Sequence, residues 1–246
     1  MNVFASYAAY YDLLYEDKDY DAEAGYIRSL IDHHAPTSAS LLDVGCGTGR
    51  HAELFARAGL EVFGLDRSGD MIAEANQRNP EIEFSQGDFC SFRFKRSFDV
   101  ITSLFHVVSY LTEGEQLHAA FDNVHRHLEP GGLFIFDCWH GPAVIHQKPE
   151  LRIKRLENKT TRVVRIAEPD IREARNRVDV NYQVFVAENG VWDEFKESHA
   201  MRYLFRPELE KLLDSHGMRL LHTEEWMNGR NPDETSWSVV YVAGRK

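Results

Sequence analysis

The stretch Leu41-Leu42-Asp43-Val44-Gly45-Cys46-Gly47-Thr48-Gly49 constrains this chain more than any other. A short apolar run that stops at clustered glycines reads as a buried parallel strand turning directly into a helix. Glycines there let the backbone turn tightly and approach a ligand, with amide N–H groups aimed into the crevice. The spacing rules out two common ligands. A dinucleotide fingerprint needs Gly-x-Gly-x-x-Gly, but counting from Gly45 the third position holds Arg50, and Gly49 comes one residue early. A phosphate loop needs Gly-Lys-Ser/Thr, and the stretch has no lysine. The pattern Asp43-x-Gly45-x-Gly47-x-Gly49 instead suits a nucleoside-type ligand without a pyrophosphate.

The same strand–helix alternation runs on either side. Asp21 to His34 puts Ala24, Ile27, Leu30 and Ile31 on one helical stripe, ended by Ala35-Pro36-Thr37. A helix from about Thr48 points Leu54, Phe55 and Ala58 inward, with Gly59 as its C-cap. Strands follow at 61–66, 82–84 and 98–103, with Ser68 capping a helix through Asn76. Thr112-x-x-Glu115 reads as a capping box for a helix through His127, and Pro130-Gly131-Gly132 turns the chain into a strand at 133–137. Five strands separated by helices imply a mostly parallel sheet with right-handed crossovers. After Pro149 the period changes. Val178, Val180, Tyr182, Val184 and Val186 alternate, and residues 151–204 read as an inserted antiparallel sheet of three or four strands. A helix at 207–216 and strands at 219–226 and 237–243 close the chain. The expected organisation is lid helices and cofactor core over 1–150, the insertion over 151–204 and the completing elements over 205–246.

Two carboxylates narrow the ligand. Asp66 ends the second strand, seventeen residues after Gly49, where an acid accepts both ribose hydroxyls of a nucleoside. Asp88, in Gln86-Gly87-Asp88-Phe89, ends the third, where a carboxylate and an apolar ring hold an adenine. With Asp43 they line one crevice at a switch point of the sheet.

Charge bounds the partners. Lys and Arg total 28 against 39 Asp and Glu, a net −11, which disfavours a nucleic-acid partner. No apolar run approaches the roughly 20 residues that span a bilayer, and the first residues carry no signal-peptide pattern. Cys46, Cys90 and Cys138 are far apart and odd in number, so reduced thiols and a cytoplasmic location are expected. His33-His34 and His125-x-His127 lack the i, i+4 spacing of a helical zinc pair, so no metal is expected.

The combination DVGCGTG (43–49), GLDRS (64–68), GDF (87–89), SFDVITSLF (97–105) and LEPGGLFIFD (128–137) resembles the class I S-adenosylmethionine-dependent methyltransferases. The resemblance covers roughly residues 40–140. It implies a Rossmann-like α/β fold: a seven-stranded, mostly parallel sheet with its last strand antiparallel, here with the inserted antiparallel sheet between strands five and six. It also implies S-adenosyl-L-methionine as cofactor. Gly45, Gly47 and Gly49 would pass the methionine moiety, Asp66 the ribose, and Asp88, Phe89 and Met71 the adenine. Asp43, Cys46, Arg67, Leu104 and Tyr20 complete the expected cofactor contacts.

The acceptor is read from what is missing as well. Residues 102–110 carry no Asn/Asp-Pro-Pro-Tyr string, no Pro-Cys nucleophile and no metal-binding carboxylate at Thr102-Ser103. A metal-free small-molecule enzyme remains. Tyr7-Ala8-Ala9-Tyr10-Tyr11-Asp12-Leu13 and Tyr20-Asp21 resemble the tyrosine-bearing lid of bacterial N-methyltransferases that act on nucleotide-linked amino sugars. The three early tyrosines read equally as packing aromatics on an amphipathic helix. By the resemblance, Tyr11 faces the substrate amine and Tyr110 takes the place of an active-site histidine, so His106 becomes the alternative base. The catalytic candidates are therefore Tyr11, His106 and Tyr110. Trp139 and His140 follow the fifth strand, Glu197 and His199 share a face of the insertion, and Arg230 is a candidate for a substrate diphosphate. Free amino acids or other small amines, a hydroxyl acceptor, and a cofactor-binding sensor stay open. An edge strand with alternating valines would also invite homodimerisation.

Overall fold

The computed structural model describes Leu14 and residues 18–158, 161–188 and 191–246. The lid tyrosines Tyr7, Tyr10 and Tyr11 lie outside the described residues. The core alternates strand and helix as expected: α1 (Tyr20–His34), β1 (Ser40–Val44), α2 (Arg50–Arg57), β2 (Glu61–Asp66), α3 (Gly69–Arg78), β3 (Glu83–Gln86), β4 (Phe98–Ser103), α4 (Gly114–His127) and β5 (Leu128–His140). A short 3-10 turn at Val107–Tyr110 follows β4. After the insertion come α6 (Arg206–Ser215), β10 (Met218–Glu225) and β11 (Ser238–Arg245).

Strands β3, β2, β1, β4 and β5 are parallel neighbours in that order. β11 runs antiparallel to β5, and β10 antiparallel to β11. Chain order reverses between β1 and β4, which opens a crevice at their carboxyl ends. Alternation along each strand divides the core into two layers. Leu41, Val100, Ile135 and Val240 pack with Ile27, Ile31 and Phe55 on one face. Ile101, Phe134, Phe136 and Tyr241 pack with Phe121, Val124 and Leu213 on the other.

Two local expectations shift. The helix expected from Thr112 begins at Gly114, where Gln116 Oε1 accepts from Glu113 N at 3.1 Å. The box closes one residue late because the Thr112 carbonyl is held outside by Arg202 Nη1 at 3.1 Å. The fifth strand runs on to His140, and a helix, α5 (Gly141–Gln147), with Pro142 in its first turn, follows it.

The insertion is a four-stranded antiparallel meander, β6 (Arg152–Glu157), β7 (Thr161–Arg172), β8 (Arg177–Glu188) and β9 (Val191–Leu204). It joins the core sheet where β9 runs parallel to the end of β5, pairing Trp139 with Tyr203 and His140 with Leu204. The alternating valines Val178, Val180, Val184 and Val186 are buried on its inner face. β8 lies between β7 and β9, so those valines form no free edge and the edge-pairing argument for a dimer falls. No helix among the described residues is long and apolar enough to cross a membrane.

Candidate active site

The glycine loop caps the end of β1. Gly45 N and Cys46 N both donate to Leu65 O, at 2.7 and 3.1 Å, which fixes the loop to the end of β2. Gly45, Gly47 and Gly49 have φ of 80°, 54° and 77°, a region that side chains rarely enter. The loop floors a cavity of about 320 Å³, large enough for a nucleoside-sized ligand.

Three carboxylates meet this floor, each held differently. Asp66 Oδ2 accepts from Gly47 N at 2.9 Å and Oδ1 from Ser68 N at 2.8 Å. A carboxylate offers about four acceptor sites, so acceptor capacity remains for a ligand hydroxyl beside these two amides and that of Arg67. Burial pushes the Asp66 carboxyl up, against the pull of those amides. Asp43 is fully buried and accepts from Thr102 Oγ1 at 2.9 Å; burial raises it too, opposed by the His51 charge. Asp88 accepts from Cys90 N at 2.8 Å, and its side chain stays half exposed at the rim, 3.9 Å from Arg67. Met71, Phe89 and Leu104, all buried, supply the apolar surface between them.

The exit of β4 is strained. Phe105 and His106 both take left-handed φ, 65° and 63°, which no glycine relieves. Such residues cost of order 1–3 kcal/mol each and persist only where the surroundings over-determine them. Here Asp137, buried in β5, does so. His106 N donates to Asp137 Oδ1 at 3.1 Å, and His106 Nδ1 stands 2.7 Å from Oδ2. Burial alone would raise the Asp137 carboxyl, but the adjacent His106 and the Lys18 charge hold it below its ordinary value. Above the pair, Lys18 Nζ lies 3.6 Å from the Phe105 ring centroid and 2.8 Å from Glu23, which also meets His51 at 2.8 Å. Tyr20 packs on His51 with ring centroids 5.0 Å apart, so the start of α1 seals this side.

The opposite wall belongs to the insertion. Tyr110 Oη lies 2.7 Å from His199 Nδ1, and His199 Nε2 lies 3.1 Å from Glu197 Oε2. Tyr182 stands edge-on to His199 at 5.1 Å, and Met201 extends the wall.

Among the expected site residues, Tyr20, Asp43, Gly45, Cys46, Gly47, Asp66, Arg67, Met71, Asp88, Phe89, Leu104, His106, Tyr110, Trp139 and His199 line this one cavity. Gly49 does not. It heads α2, and a side chain there would meet Phe84 at 2.9 Å, so its place is set by packing behind the loop. His140 is buried at the start of α5, where burial lowers its imidazole. Glu197 sits behind His199 rather than on the surface of the cavity. Arg230 is exposed and paired with Glu225 at 2.8 Å. Tyr11 is outside the described residues. Sequence reasoning missed Asp137, Tyr182, Met201 and Phe105. Asp137 carried a signal, as the polar end of the apolar run Leu133–Phe136, and so did Tyr182, in register with the buried valines. The φ values of Phe105 and His106 carried none. Among the described residues, no group of three or more His, Cys, Asp or Glu side chains is placed to hold a metal.

Comparison with known proteins finds relatives in both sequence and fold. A family model described as a methyltransferase domain matches residues 41–132. The chain is 34% identical over 228 residues to the dTDP-3-amino-3,4,6-trideoxy-alpha-D-glucopyranose N,N-dimethyltransferase of Streptomyces venezuelae, covering 91% of this chain and 94% of that protein. The crystal structure of Streptomyces venezuelae DesVI superposes with a TM-score of 0.84 at 30% identity, covering 97% of this chain and 98% of that one. The structure of SAM-bound CalS10, an amino pentose methyltransferase from Micromonospora echinaspora involved in calicheamicin biosynthesis, superposes with a TM-score of 0.79 at 26% identity, covering 98% and 97%.

Proposed function

The chain belongs to the class I S-adenosylmethionine-dependent methyltransferases, and we propose that within them it methylates the amine of a nucleotide-linked amino sugar. The observation that carries this reading is that the likeness to an amino-sugar N,N-dimethyltransferase spans 91% of the chain, and so extends through the insertion that walls the cavity. A methyltransferase sharing only the cofactor half would match only the core.

The residues present fit the cofactor. Asp66 keeps acceptor capacity for a ribose, Asp88 and Phe89 would border the adenine, and the backbone of Gly45 and Gly47 would leave room for the amino-acid tail. Bound there, S-adenosylmethionine supplies a methyl group already activated on a sulfonium. The protein's remaining work is to hold the acceptor in line and to keep its nitrogen unprotonated. His106, fixed by Asp137, and Tyr110, fixed by His199, present polar groups to the cavity from two sides. We assign Trp139, which lines the same cavity, to acceptor contact, and Tyr11 on the lid resemblance alone.

A nucleotide carrier brings a diphosphate, which a chain of net charge −11 must meet locally. Strand register puts Arg152, Lys154 and Arg165 on the inner face of the insertion, Lys154 opposite Arg165. The Arg165 guanidinium lies 5.0 Å from the centroid of the Tyr182 ring, which lines the cavity. This basic strip favours a nucleotide-linked acceptor over a free amine. We place the enzyme in the cytoplasm, where its free thiols stay reduced. A homodimer would use the outer face of the insertion, where Ile153 and Trp192 are exposed, and light scattering would then give twice 28.4 kDa.

Two measurements test the reading. Calorimetry should show S-adenosylhomocysteine binding that Asp66→Ala abolishes; unchanged affinity would sink the ribose assignment. A panel of dTDP-linked amino sugars, free amino acids and hydroxyl or carboxyl acceptors should give repeated turnover with the amino sugars alone. Turnover confined to a hydroxyl would move the enzyme to the O-methyltransferases, and binding without turnover on any acceptor would make it a sensor.

A further inference from the structure

We propose that Tyr110, His199 and Glu197 form a proton relay that takes the proton from the acceptor amine before methyl transfer. The inference rests on the amino-sugar reading above and adds to it a route for the proton.

An aliphatic amine is mostly an ammonium ion near neutral pH and has no lone pair to attack a methyl group. A group in the site that takes its proton raises the fraction able to react. Tyr110 is the member of the chain that meets solvent in the cavity, being 42% exposed. Its hydroxyl is 2.7 Å from His199 Nδ1. On the far side of the imidazole, His199 Nε2 faces Glu197 Oε2 at 3.1 Å. A carboxylate accepting there fixes the tautomer: Nε2 carries the hydrogen and Nδ1 keeps the lone pair that accepts from the phenol.

The depth of the chain supports a proton path over a packing contact. The Glu197 side chain is only 2% exposed, and its second oxygen, Oε1, is buried without a hydrogen-bond partner among the described residues. A carboxylate so poorly served by other donors gains most when its one imidazole partner becomes a cation. Two further described side chains stand beside His199 in the cavity wall. Tyr182 on β8 presents its ring at 5.1 Å, with the Arg165 guanidinium of β7 5.0 Å from that ring's centroid, and Met201 is apolar.

The step balances without any added reagent. The ammonium N–H bond breaks and its proton joins the Tyr110 oxygen, while the phenolic proton passes to His199 Nδ1. The amine is left neutral with its lone pair, Tyr110 is again a phenol, and His199 is an imidazolium between that phenol and the Glu197 carboxylate. Tyr110 touches the substrate and is the catalytic residue; His199 and Glu197 act through it.

The test follows S-adenosylhomocysteine release from S-adenosylmethionine and a dTDP-linked 3-amino sugar between about pH 6 and pH 9.5, for wild type and for Tyr110→Phe, His199→Asn and Glu197→Gln. Tyr110→Phe and His199→Asn should lower kcat about a hundredfold near pH 7, the lower end of what general acid–base catalysis supplies. The deficit should shrink as pH rises and the amine loses its proton unaided. Glu197→Gln should show the same trend with a smaller loss, and S-adenosylhomocysteine affinity should stay as in wild type throughout. Tyr110→Phe removes one oxygen only, so it carries the test if His199→Asn fails to fold. A deficit equal at every pH, or no deficit, overturns the relay. So does a pH-dependent deficit seen in His106→Asn but not in Tyr110→Phe, which would give the proton to the His106–Asp137 pair. Wild type that turns over no amine at all would instead overturn the amino-sugar reading, and the relay with it.

Discussion

Gly45 and Gly47 look alike in the sequence but should fail in different ways when replaced by alanine. A Cβ on Gly45 would stand 2.5 Å from Val107 Cγ2 and 2.8 Å from Val107 Cγ1, closer than such atoms ever come. Val107 cannot retreat easily. It opens the 3-10 turn whose buried Ser109 accepts from Trp139 N at 3.0 Å, and the turn ends at Tyr110. A Cβ on Gly47 meets nothing within 4 Å. Both positions carry the cost of a left-handed φ, about 1 kcal/mol for alanine. Only Gly45→Ala adds overpacking, about 1–3 kcal/mol. In a chain of this length each kcal/mol moves Tm by about 2–4 °C. Gly45→Ala should therefore lower Tm by roughly 10 °C and Gly47→Ala by roughly 3 °C.

Thermal and urea unfolding without cofactor would measure this, alongside calorimetric titration with S-adenosylhomocysteine. Gly47→Ala should stay folded and lose the ligand, because its backbone is assigned to the approach of the cofactor. Adding Val107→Ala to Gly45→Ala should recover the overpacking share, at least about 1 kcal/mol in a double-mutant cycle, although Val107→Ala alone costs about as much through its cavity. Equal losses for the two glycine variants, or losses of Gly45→Ala and Val107→Ala that simply add in the double variant, would refute the reasoning.

Acid should weaken the protein through His127, whose buried ring accepts from Phe94 N at 3.1 Å through Nε2 and places Nδ1 2.8 Å from Asn123 O. Burial lowers its folded pKa below the ordinary 6.5, so the unfolded chain binds the proton first and stability falls as pH drops below about 6.5; urea midpoints at pH 7.5 and 5.5 should differ, by less in His127→Gln, and an equal fall in both would exclude His127 as the cause. Thiol labelling at pH 8 should find Cys90 alone and slowly, since burial pushes it up to about 11, while Cys46 and Cys138 react only after unfolding. Asp99→Asn should cost about 1–3 kcal/mol and several degrees in Tm, because Asp99 Oδ2 accepts from Ala39 N, Ser40 N and Ser40 Oγ, each at 2.9 Å.

The core was legible because its rules are local. Leu41–Val44 followed by glycines, Asp66 and Asp88 at strand ends, and Ser68 before a helix each carry their structural meaning within a few residues. The rest depends on distant residues meeting. Asp137 lies thirty-one residues from His106, and it is this partner that holds Phe105 and His106 in backbone conformations their own chemistry disfavours. His199 lies eighty-nine residues from Tyr110. The alternating valines showed which face of the insertion is buried, but not that β8 has neighbours on both sides, since pairing order leaves no trace in a period-2 pattern.

That division has a chemical consequence. The proposed cofactor contacts come from short loops at the ends of β1, β2 and β3, each anchored in a parallel sheet buried on both faces. The proposed acceptor wall is joined to the core sheet by the two residue pairs between β9 and the end of β5, Trp139 with Tyr203 and His140 with Leu204, and to the loops after β4 by Arg202 and His199. Tyr203 and Leu204 are buried, and Trp139 itself lines the cavity, so the junction that supports the insertion also borders the acceptor space. Changes on the inner face of the insertion, at Tyr182, His199 or Met201, can reshape the acceptor space without touching Asp66 or the glycine loop. Substrate choice can therefore vary on this scaffold while cofactor binding stays fixed, and Tyr203→Phe and Trp139→Phe separate the two. Tyr203→Phe keeps the junction's packing and should leave both steps intact. Trp139→Phe should raise KM for the amino sugar several-fold and leave S-adenosylhomocysteine affinity unchanged. A parallel loss of both affinities in Trp139→Phe would mean that the two halves of the cavity are one site.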